Sequence, residues 1–216
     1  MDLGRFDGKL YALPKTYETL GLFYNKKVMA DNGWSVPTTI TEFEKMADEM
    51  VSKGIVPIGA GNSNWRPANE WHVTLALNSI AGPDNLQKAL TGEMSWTEKP
   101  FLDSVNALKR WWDKGYFGDD YFSISTEQMI SNLAEGMSAM APTGSWSFGD
   151  VPTYFADQLD NVGFAGFPSG EGVAYPIYAL GIGTTFSIAS KAENPEGAAE
   201  VIDFMFDDEF YTAMNN

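Results

Sequence analysis

Apolar residues recur at intervals of three and four in several stretches of the chain, which is the spacing of one face of an α-helix. The stretch that follows Pro37 is the clearest. Thr39 and Glu42 stand in the spacing of a capping box, in which side chain and backbone satisfy each other's free donors at a helix start, and Gly54 has the position of a helix-ending residue. The same reasoning predicts helices over residues 25–32, 67–80, 100–114 and 125–135, and a last one that begins after Asn194.

Short apolar runs lie between these helices and are bounded by glycine, proline or polar residues, as strands are. They cover residues 9–13, 21–24, 55–58, 137–141, 162–167 and 179–189. Strands that alternate with single helices are typical of an α/β fold, in which helices cover a central sheet. The pattern therefore predicts an α/β protein.

The predicted helix over residues 100–114 carries two adjacent tryptophans, and both are assigned to the core. Its apolar residues are expected to face inward, with Phe101, Val105, Leu108 and Trp112 along one side and Leu102 and Trp111 beside them. In the last helix the inward residues are expected to be Ala198, Ile202, Met205 and Phe206.

Composition excludes several classes of protein. Among 216 residues, 14 Lys and Arg face 29 Asp and Glu, and the net charge of −15 disfavours nucleic acids and anionic membranes, which bind basic patches. The absence of cysteine excludes disulfides, thiol nucleophiles, zinc ribbons and iron–sulfur clusters. The single histidine, His72, excludes His-rich metal sites and is the one candidate for a Ser-His-Asp triad. No metal and no cofactor is predicted.

Motifs for nucleotide binding, nucleophilic catalysis and calcium binding are all incomplete. Gly59-Ala60-Gly61 begins like a dinucleotide fingerprint, but Asn64 occupies its third glycine position. Ser145 lacks the second glycine of a nucleophile elbow, and Asp119-Asp120 lacks the alternating oxygen ligands of a calcium loop. No apolar run approaches the roughly 18 residues of a membrane span, and the first residues do not form a signal peptide. These features predict either a cytoplasmic protein or a piece of a longer one.

The position of three tryptophans is the main chemical signal. Trp65 and Trp71 stand in or beside a polar loop, and Trp146 follows a strand on a glycine turn. The polar residues of that loop are Asn62, Asn64, Arg66, Asn69 and Glu70. Indole rings cover the apolar faces of a sugar ring, while amides, carboxylates and indole N–H groups bond its hydroxyls. The alternative is that the three are buried tryptophans with satisfied N–H groups.

A set of short segments occurs in a fixed order along nearly the whole chain. They are residues 7–14, Leu22-Phe23-Tyr24-Asn25-Lys26, Pro37-Thr38-Thr39 with Glu42-Phe43, residues 133–140 followed by Gly144-Ser145-Trp146, and Phe186-Ser187-Ile188-Ala189 followed by Asn194-Pro195-Glu196 with Ala198-Ala199. In order and spacing they resemble the extracellular solute-binding proteins of carbohydrate ABC importers, the family that includes maltose-binding protein.

The resemblance implies a periplasmic binding protein-like II fold of the α/β class, with two lobes that close on a sugar about a hinge and perform no catalysis. Matched residue by residue to maltose-binding proteins, Trp146 and Trp71 fall where aromatic rings stack on the sugar, and Glu18 falls where an acidic side chain reaches it. The remaining implied ligand-binding residues are Asn69, Glu70, Trp65, Arg66, Asn64 and Tyr178.

Members of the family are roughly twice as long as this chain. The resemblance therefore implies one lobe over residues 16–175, with crossover segments of the other lobe at 1–15 and 176–216, and half of a binding site. It also implies a periplasmic or extracellular location, in some members as a lipoprotein, and permease subunits as partners. Uncovered apolar residues such as Ile202 would favour self-association.

Two other functions stay open on the residues alone. A glycoside hydrolase would share an aromatic cleft and needs two carboxylates about 5–10 Å apart, for which Glu18 and Glu70 are formal candidates. An importer receptor could instead bind a polyamine, a peptide or a metal chelate, and the acidic composition would suit a cation.

Overall fold

The computed structural model describes residues 4–64 and 68–214. The chain divides into two compact units. The central unit is Thr19–Leu180, and the flanking unit consists of Met1–Glu18 and Gly181–Asn216. The assignment of residues 16–175 to one lobe of a larger protein, and of 1–15 and 176–216 to the other, stays a prediction.

The central unit alternates helices with strands. Its helices are α1 (Lys26–Asp31), α2 (Ile40–Ser52), α3 (Ala68–Ala76), α4 (Pro83–Leu90), α5 (Lys99–Asp113), α6 (Thr126–Ala134) and α7 (Val151–Phe155). A π-helical turn (Leu77–Ala81) extends α3, and 3₁₀ turns cover Ser145–Gly149 and Ala156–Asn161. Its strands are β4 (Tyr17–Asn25), β5 (Val56–Ile58), β6 (Ser138–Gly144), β7 (Val162–Ala165) and β8 (Ala179–Ile182), of which β4 and β8 cross the unit boundaries.

Local capping explains why these helices start where they do. At α2 the predicted capping box is complete: the Glu42 amide donates to Thr39 Oγ1 at 3.2 Å, and the Thr39 amide donates to Glu42 Oε2 at 3.2 Å. Gly82, expected to end the preceding helix together with Pro83, does so with a φ of 86°. Pro83, however, is the first residue of α4, a position that suits its fixed φ and missing N–H, so the sequence analysis missed this helix.

One sheet organises the central unit, in the order β5-β6-β4-β7, and β8 also pairs with β4. β5 runs parallel to β6, whereas β4 is antiparallel to both β6 and β7. Consecutive residues of a strand point to opposite faces of its sheet. Leu22 accordingly packs in one apolar cluster and Phe23 in another, and Met140 and Ala141 divide in the same way.

Helices cover both faces of this sheet. One cluster joins the strands to α2 and α5 through Phe43, Met50 and Trp111, and the other joins them to α6 and α7 through Leu133 and Phe155. Each of these five side chains is at most 2% exposed. The predicted α/β class is confirmed.

Helix α5 turns a different face to the core than the one predicted. Its buried residues are Phe101, Ser104, Ala107 and Trp111, while Leu102, Val105 and Trp112 are exposed. The small residues Ser104 and Ala107 let α5 pack closely against the π-helical turn, and the Ser104 hydroxyl donates to the Pro100 carbonyl at 2.9 Å. Placing Trp111 in the core was correct, and placing Trp112 there was wrong.

The flanking unit has small sheets and two helices. Strands β1 (Arg5–Phe6) and β2 (Lys9–Leu10) form one antiparallel pair, and β3 (Leu13–Pro14) pairs with β9 (Thr185–Phe186). Helices α8 (Pro195–Phe204) and α9 (Asp208–Met214) contain no buried residue. Of the four residues expected to face inward, Ala198, Ile202 and Met205 are half-buried, whereas Phe206 is exposed although its ring contacts that of Phe186.

Candidate functional site

Two loops leave the sheet at the same edge. Because β5 and β6 are parallel, with Val56 opposite Ser138 and Ile58 opposite Met140, their carboxyl ends point the same way. The segment that follows β5 covers residues 59–64, and β6 is followed by the 3₁₀ turn Ser145–Gly149. Ligands of α/β proteins commonly bind beyond the carboxyl ends of such strands.

Trp146 lies on the turn after β6, and its ring folds back over Gly144. A Cβ atom at Gly144 would overlap the six-membered ring of this indole, so the arrangement requires glycine. The turn is fixed on both sides, because the Thr19 amide donates to Ser145 Oγ at 3.3 Å and the buried hydroxyls of Thr143 and Ser147 are 3.0 Å apart. Trp146 is half-buried.

Trp71 contacts Trp146 from helix α3. The ring centroids are 5.1 Å apart and the ring planes are inclined by 53°. Trp71 is only 6% exposed, as the buried-tryptophan alternative expects, whereas Trp146 is half-buried. The structure therefore brings together the two tryptophans that the resemblance places against the sugar, with Trp71 as the inner ring of the pair.

His72 follows Trp71 and is buried. Its Nδ1 lies 2.9 Å from the Tyr121 hydroxyl, and its ring packs against Phe117. Burial lowers the pKa of His72 to about 4, so the imidazole is neutral at pH 7. Burial also raises the pKa of Tyr121. The hydrogen bond that the structure gives His72 Nδ1 thus goes to a tyrosine, where a Ser-His-Asp triad would place a carboxylate.

Asn64 is engaged at the start of helix α6. Its Nδ2 donates to Glu127 Oε2 at 2.8 Å, and its Oδ1 accepts from the Thr126 amide at 3.1 Å. Both ends of this side chain therefore tie the loop after β5 to α6.

Four of the predicted site residues cannot be placed by their side chains. Trp65 and Arg66 lie outside the described residues, as do the side chains of Asn69 and Glu70, whose backbone belongs to the first turn of α3.

Glu18 and Tyr178 lie in different units. Glu18, in the flanking unit, is half-buried and accepts a long hydrogen bond of 3.4 Å from the Thr16 hydroxyl. It lies against Gly183, where a Cβ atom would overlap its carboxylate. Tyr178, in the central unit, is 41% exposed and stacks on Phe164 with centroids 5.8 Å apart.

Asn62 also lies at this edge; the sequence analysis names it as a polar residue of the loop but does not include it among the ligand-binding residues. It is 6% exposed, and neither its side-chain nitrogen nor its side-chain oxygen has a hydrogen-bond partner. The sequence offered only a weak signal, namely an amide in a glycine-rich segment directly after a strand.

A large groove lies elsewhere in the central unit. It has a volume of about 1380 Å³ and is lined by the start of α2, by α4 and α5, and by residues 169–177. None of its described lining residues belongs to the predicted site. In the part of the chain that the structure describes, no helix is long and apolar enough to cross a membrane, and no cluster of three His, Cys, Asp or Glu side chains is placed to hold a metal ion.

The sequence pattern of bacterial extracellular solute-binding proteins matches residues 2–211, and the chain belongs to this family. Among curated relatives, the multiple sugar-binding protein of Streptococcus mutans is 25% identical over 91% of this chain and 47% of its own length. The maltodextrin-binding protein MdxE of Bacillus subtilis is 26% identical over 94% of this chain and 47% of its own length. The chain thus spans about half the length of the relatives it matches.

Solved structures agree on the fold. A chitin oligosaccharide binding protein superposes with a TM-score of 0.80 and 27% identity, covering 97% of this chain and 53% of that one. The raffinose complex of RafE superposes with a TM-score of 0.69 and 22% identity, over 95% of this chain and 54% of that one. The predicted family and the periplasmic binding protein-like fold class are confirmed.

Proposed function

We propose that this chain is one half of a receptor that captures a sugar for an ABC importer, in a cleft between two lobes. Membership of the solute-binding family supports this, as do relatives whose names refer to multiple sugars, maltodextrin and chitin oligosaccharides. The observation that carries the proposal is the indole pair: a half-buried Trp146 held over Gly144 and backed by Trp71 where β5 and β6 end.

The geometry of this pair suits a sugar ring. A pyranose has an apolar face of C–H groups, which an indole face covers, and hydroxyls around its rim. Trp71 restricts rotation of the Trp146 ring because it lies 5.1 Å away and is itself buried. A ring that is already fixed loses little conformational entropy when a ligand stacks on it, which favours binding.

The other predicted ligand-binding residues remain part of the proposal with different roles. Glu18 and Glu70 would accept hydrogen bonds from sugar hydroxyls. Arg66 would donate hydrogen bonds to hydroxyl oxygens, and the Asn69 amide could do both. Trp65 and Tyr178 would add aromatic surface. Asn64 would act indirectly, because its hydrogen bonds to Glu127 and Thr126 fix the loop that carries its neighbours.

The remaining half of the site would come from the second lobe. A receptor with a dissociation constant of about 1 μM has about −8 kcal/mol of binding free energy, and half of its contacts would leave millimolar affinity. We therefore propose weak sugar binding by this chain and much tighter binding by a two-lobed parent. The parent would work outside the cytoplasmic membrane, in some forms as a lipoprotein, deliver the sugar unchanged to permease subunits, and lose the self-association expected of this chain.

The test is ligand-observed NMR with this chain and millimolar maltotriose, triacetylchitotriose, raffinose and, as a non-sugar, spermidine. We expect saturable binding of at least one sugar and at least a tenfold loss of affinity in the Trp146→Ala variant. Trp96→Ala is the matched control, because Trp96 is an exposed tryptophan whose ring packs against Phe101 at the start of α5, outside the proposed site, and this variant should bind as the unmodified chain does.

Three results would count against the proposal. These are binding of spermidine but of no sugar, cleavage of the sugar during the experiment, and equal losses in the two tryptophan variants. The first would favour a receptor for another solute, and the second would favour a glycoside hydrolase.

A further inference from the structure

A buried hydrogen bond joins helix α3 to the segment that follows α5. His72 is 7% exposed and Tyr121 is 6% exposed, and His72 Nδ1 lies 2.9 Å from the Tyr121 hydroxyl. Burial lowers the pKa of His72 to about 4 and raises the pKa of Tyr121, so the bond joins two uncharged groups at pH 7. Breaking it would leave a polar group buried without its partner, which is unfavourable.

Tyr121 provides a firm support for this bond. Its ring packs edge-on against Phe117, with centroids 5.5 Å apart, and against Trp112, with centroids 5.4 Å apart. The segment that carries it is tied to the sheet, because the Ile58 amide of β5 donates to the Tyr116 carbonyl at 2.9 Å. The Tyr121 hydroxyl is therefore held in a fixed place beside the sheet.

His72 directly follows the inner tryptophan of the indole pair. Consecutive residues of an α-helix point about 100° apart around its axis. Trp71 accordingly contacts Trp146, with ring centroids 5.1 Å apart, while His72 is directed to Tyr121. Helix α3 is thus held on one side by the turn after β6 and on another by Tyr121. The backbone of residues 69 and 70, which precede the pair, belongs to the same helix.

The apolar contacts of α3 do not fix its orientation in the same way. Leu75 is fully buried, in the apolar cluster that also contains Met140 of β6. Apolar burial is non-directional, whereas a hydrogen bond weakens steeply when its angle or length departs from the optimum. Apolar contacts alone would tolerate a small rotation of α3 about its axis. The bond between His72 and Tyr121 resists that rotation, which would move the Trp71 ring.

We propose that His72 is a positioning residue for sugar binding. Its bond to Tyr121 fixes the rotation of α3 and so holds Trp71 against Trp146 in the arrangement on which a sugar stacks. His72 acts through Trp71 and not on the sugar itself. The inference rests on the proposed function and adds to it the pair of residues that sets the geometry of the two indole rings.

The experiment removes the bond from each side and then restores it. Tyr121→Phe removes only the hydroxyl, and His72→Leu removes the imidazole. His72→Asn is the conservative variant, because its amide places a polar atom where Nδ1 stands. Affinity for whichever of maltotriose, triacetylchitotriose or raffinose the unmodified chain binds should fall about fivefold or more in the first two variants, and His72→Asn should stay within about twofold. The double variant Tyr121→Phe with His72→Leu should lose no more than either single one, since one bond is lost in each.

Tyr116→Phe is the matched control. Tyr116 is fully buried and belongs to the same segment as Tyr121, but its hydroxyl lies 2.6 Å from Asp48 Oδ1 of helix α2. This variant also loses a buried hydrogen bond of a tyrosine and should lower the midpoint of urea unfolding as Tyr121→Phe does. It should nevertheless bind the sugar within about twofold of the unmodified chain. The control therefore separates a loss of stability from a loss of position.

Circular dichroism gives a readout that needs no sugar. Two indole rings 5.1 Å apart couple their electronic transitions and give a pair of bands of opposite sign. The difference between the spectra of the unmodified chain and of Trp146→Ala identifies these bands. We expect Tyr121→Phe and His72→Leu to weaken them, and Tyr116→Phe and His72→Asn to leave them unchanged.

The outcomes distinguish this inference from the proposed function. If Trp146→Ala loses the sugar while Tyr121→Phe and His72→Leu bind it as Tyr116→Phe does, the role of His72 is overturned and the receptor proposal stands. The role is likewise overturned if His72→Asn binds as weakly as His72→Leu, or if affinity falls while the coupled bands stay unchanged. If the unmodified chain binds none of the sugars, the receptor proposal fails and the binding role of His72 fails with it, while the coupled bands still show whether the bond sets the arrangement of the two rings.

Discussion

Helices α2 and α8 start with similar caps but stand in different surroundings. The Thr39 side chain accepts from the Glu42 amide at the start of α2, and the Asn194 side chain accepts from the Gly197 amide at the start of α8. In the central unit, α2 buries four residues, among them Phe43 at 0% exposure. In the flanking unit, α8 buries none, and Phe204 is 50% exposed.

The difference between α2 and α8 separates what decides where a helix begins from what makes the helix stable. A cap and good spacing decide where a helix begins, but isolated helices of this length are marginal in water and depend on packing for stability. The central unit supplies that packing on both faces of its sheet, whereas α8 and α9 have no buried residue within their own unit. We therefore expect substitutions to have large effects in the central unit and small ones in the flanking unit.

The largest expected effect is that of Phe43→Ala. Its ring contacts the rings of Trp111, Tyr116 and Phe167, and its removal leaves a cavity that should cost about 3–5 kcal/mol of unfolding free energy. Phe204→Ala is the control, with an expected cost of about 0.5 kcal/mol or less because the side chain is half in solvent. Urea unfolding followed by far-ultraviolet circular dichroism, which reports on the helices of both units, measures both. Equal losses would contradict the contrast between the units.

The next effect is a dependence of stability on pH through His72. Burial lowers its pKa from 6.5 to about 4, so between these values the unfolded chain binds more protons than the folded one. Keeping His72 neutral therefore costs the folded chain nothing above pH 6.5. As the pH falls towards 4, the unfolding free energy decreases by about 3 kcal/mol in total, because the unfolded chain gains a proton on His72 that the folded chain does not.

Unfolding free energies at pH 7 and pH 4.5 for the unmodified chain and for His72→Gln isolate the part of the pH dependence that is due to His72. Carboxylates titrate in both proteins, so only the difference between the two pH dependences reports on His72. We expect the unmodified chain to lose more stability on acidification than the variant. Equal losses in the two proteins would mean that folding does not lower the pKa of His72.

Sequence patterns located α2 and Trp146 because their causes are local. A capping box spans four residues, and a tryptophan next to a glycine turn is visible as such in the chain. The choice of which face of α5 is buried does not have a local cause. Val105 and Trp112 fit the helical period as well as Ser104 and Ala107 do, and the choice depends on how closely the π-helical turn approaches. Small residues were preferred at that contact, which left Trp112 exposed.

The site was predictable to the extent that its residues stand out by type. Trp71 and Trp146 do, but their 5.1 Å contact depends on α3 and on the turn after β6, 75 positions apart in the sequence. Asn62 does not stand out, since its unpaired amide depends on how the chain folds around it, including the contacts of its neighbours Gly61 and Ser63 with Ser125 and Ile124. A hydrogen bond that is missing in three dimensions leaves no pattern along the chain.

The smallest expected effect returns to the two caps. Thr39→Ala should cost about 1 kcal/mol of global unfolding free energy, because α2 belongs to the packed core and loses a bond to its Glu42 amide. Asn194→Ala removes the equivalent bond at α8, but this helix can fray without exposing buried side chains. Its effect should therefore appear as faster hydrogen exchange at the Gly197 and Ala198 amides, with the midpoint of urea unfolding nearly unchanged. If Asn194→Ala instead lowered that midpoint as much as Thr39→Ala does, α8 would have to unfold together with the core, and the low burial of the flanking unit would not determine its contribution to stability.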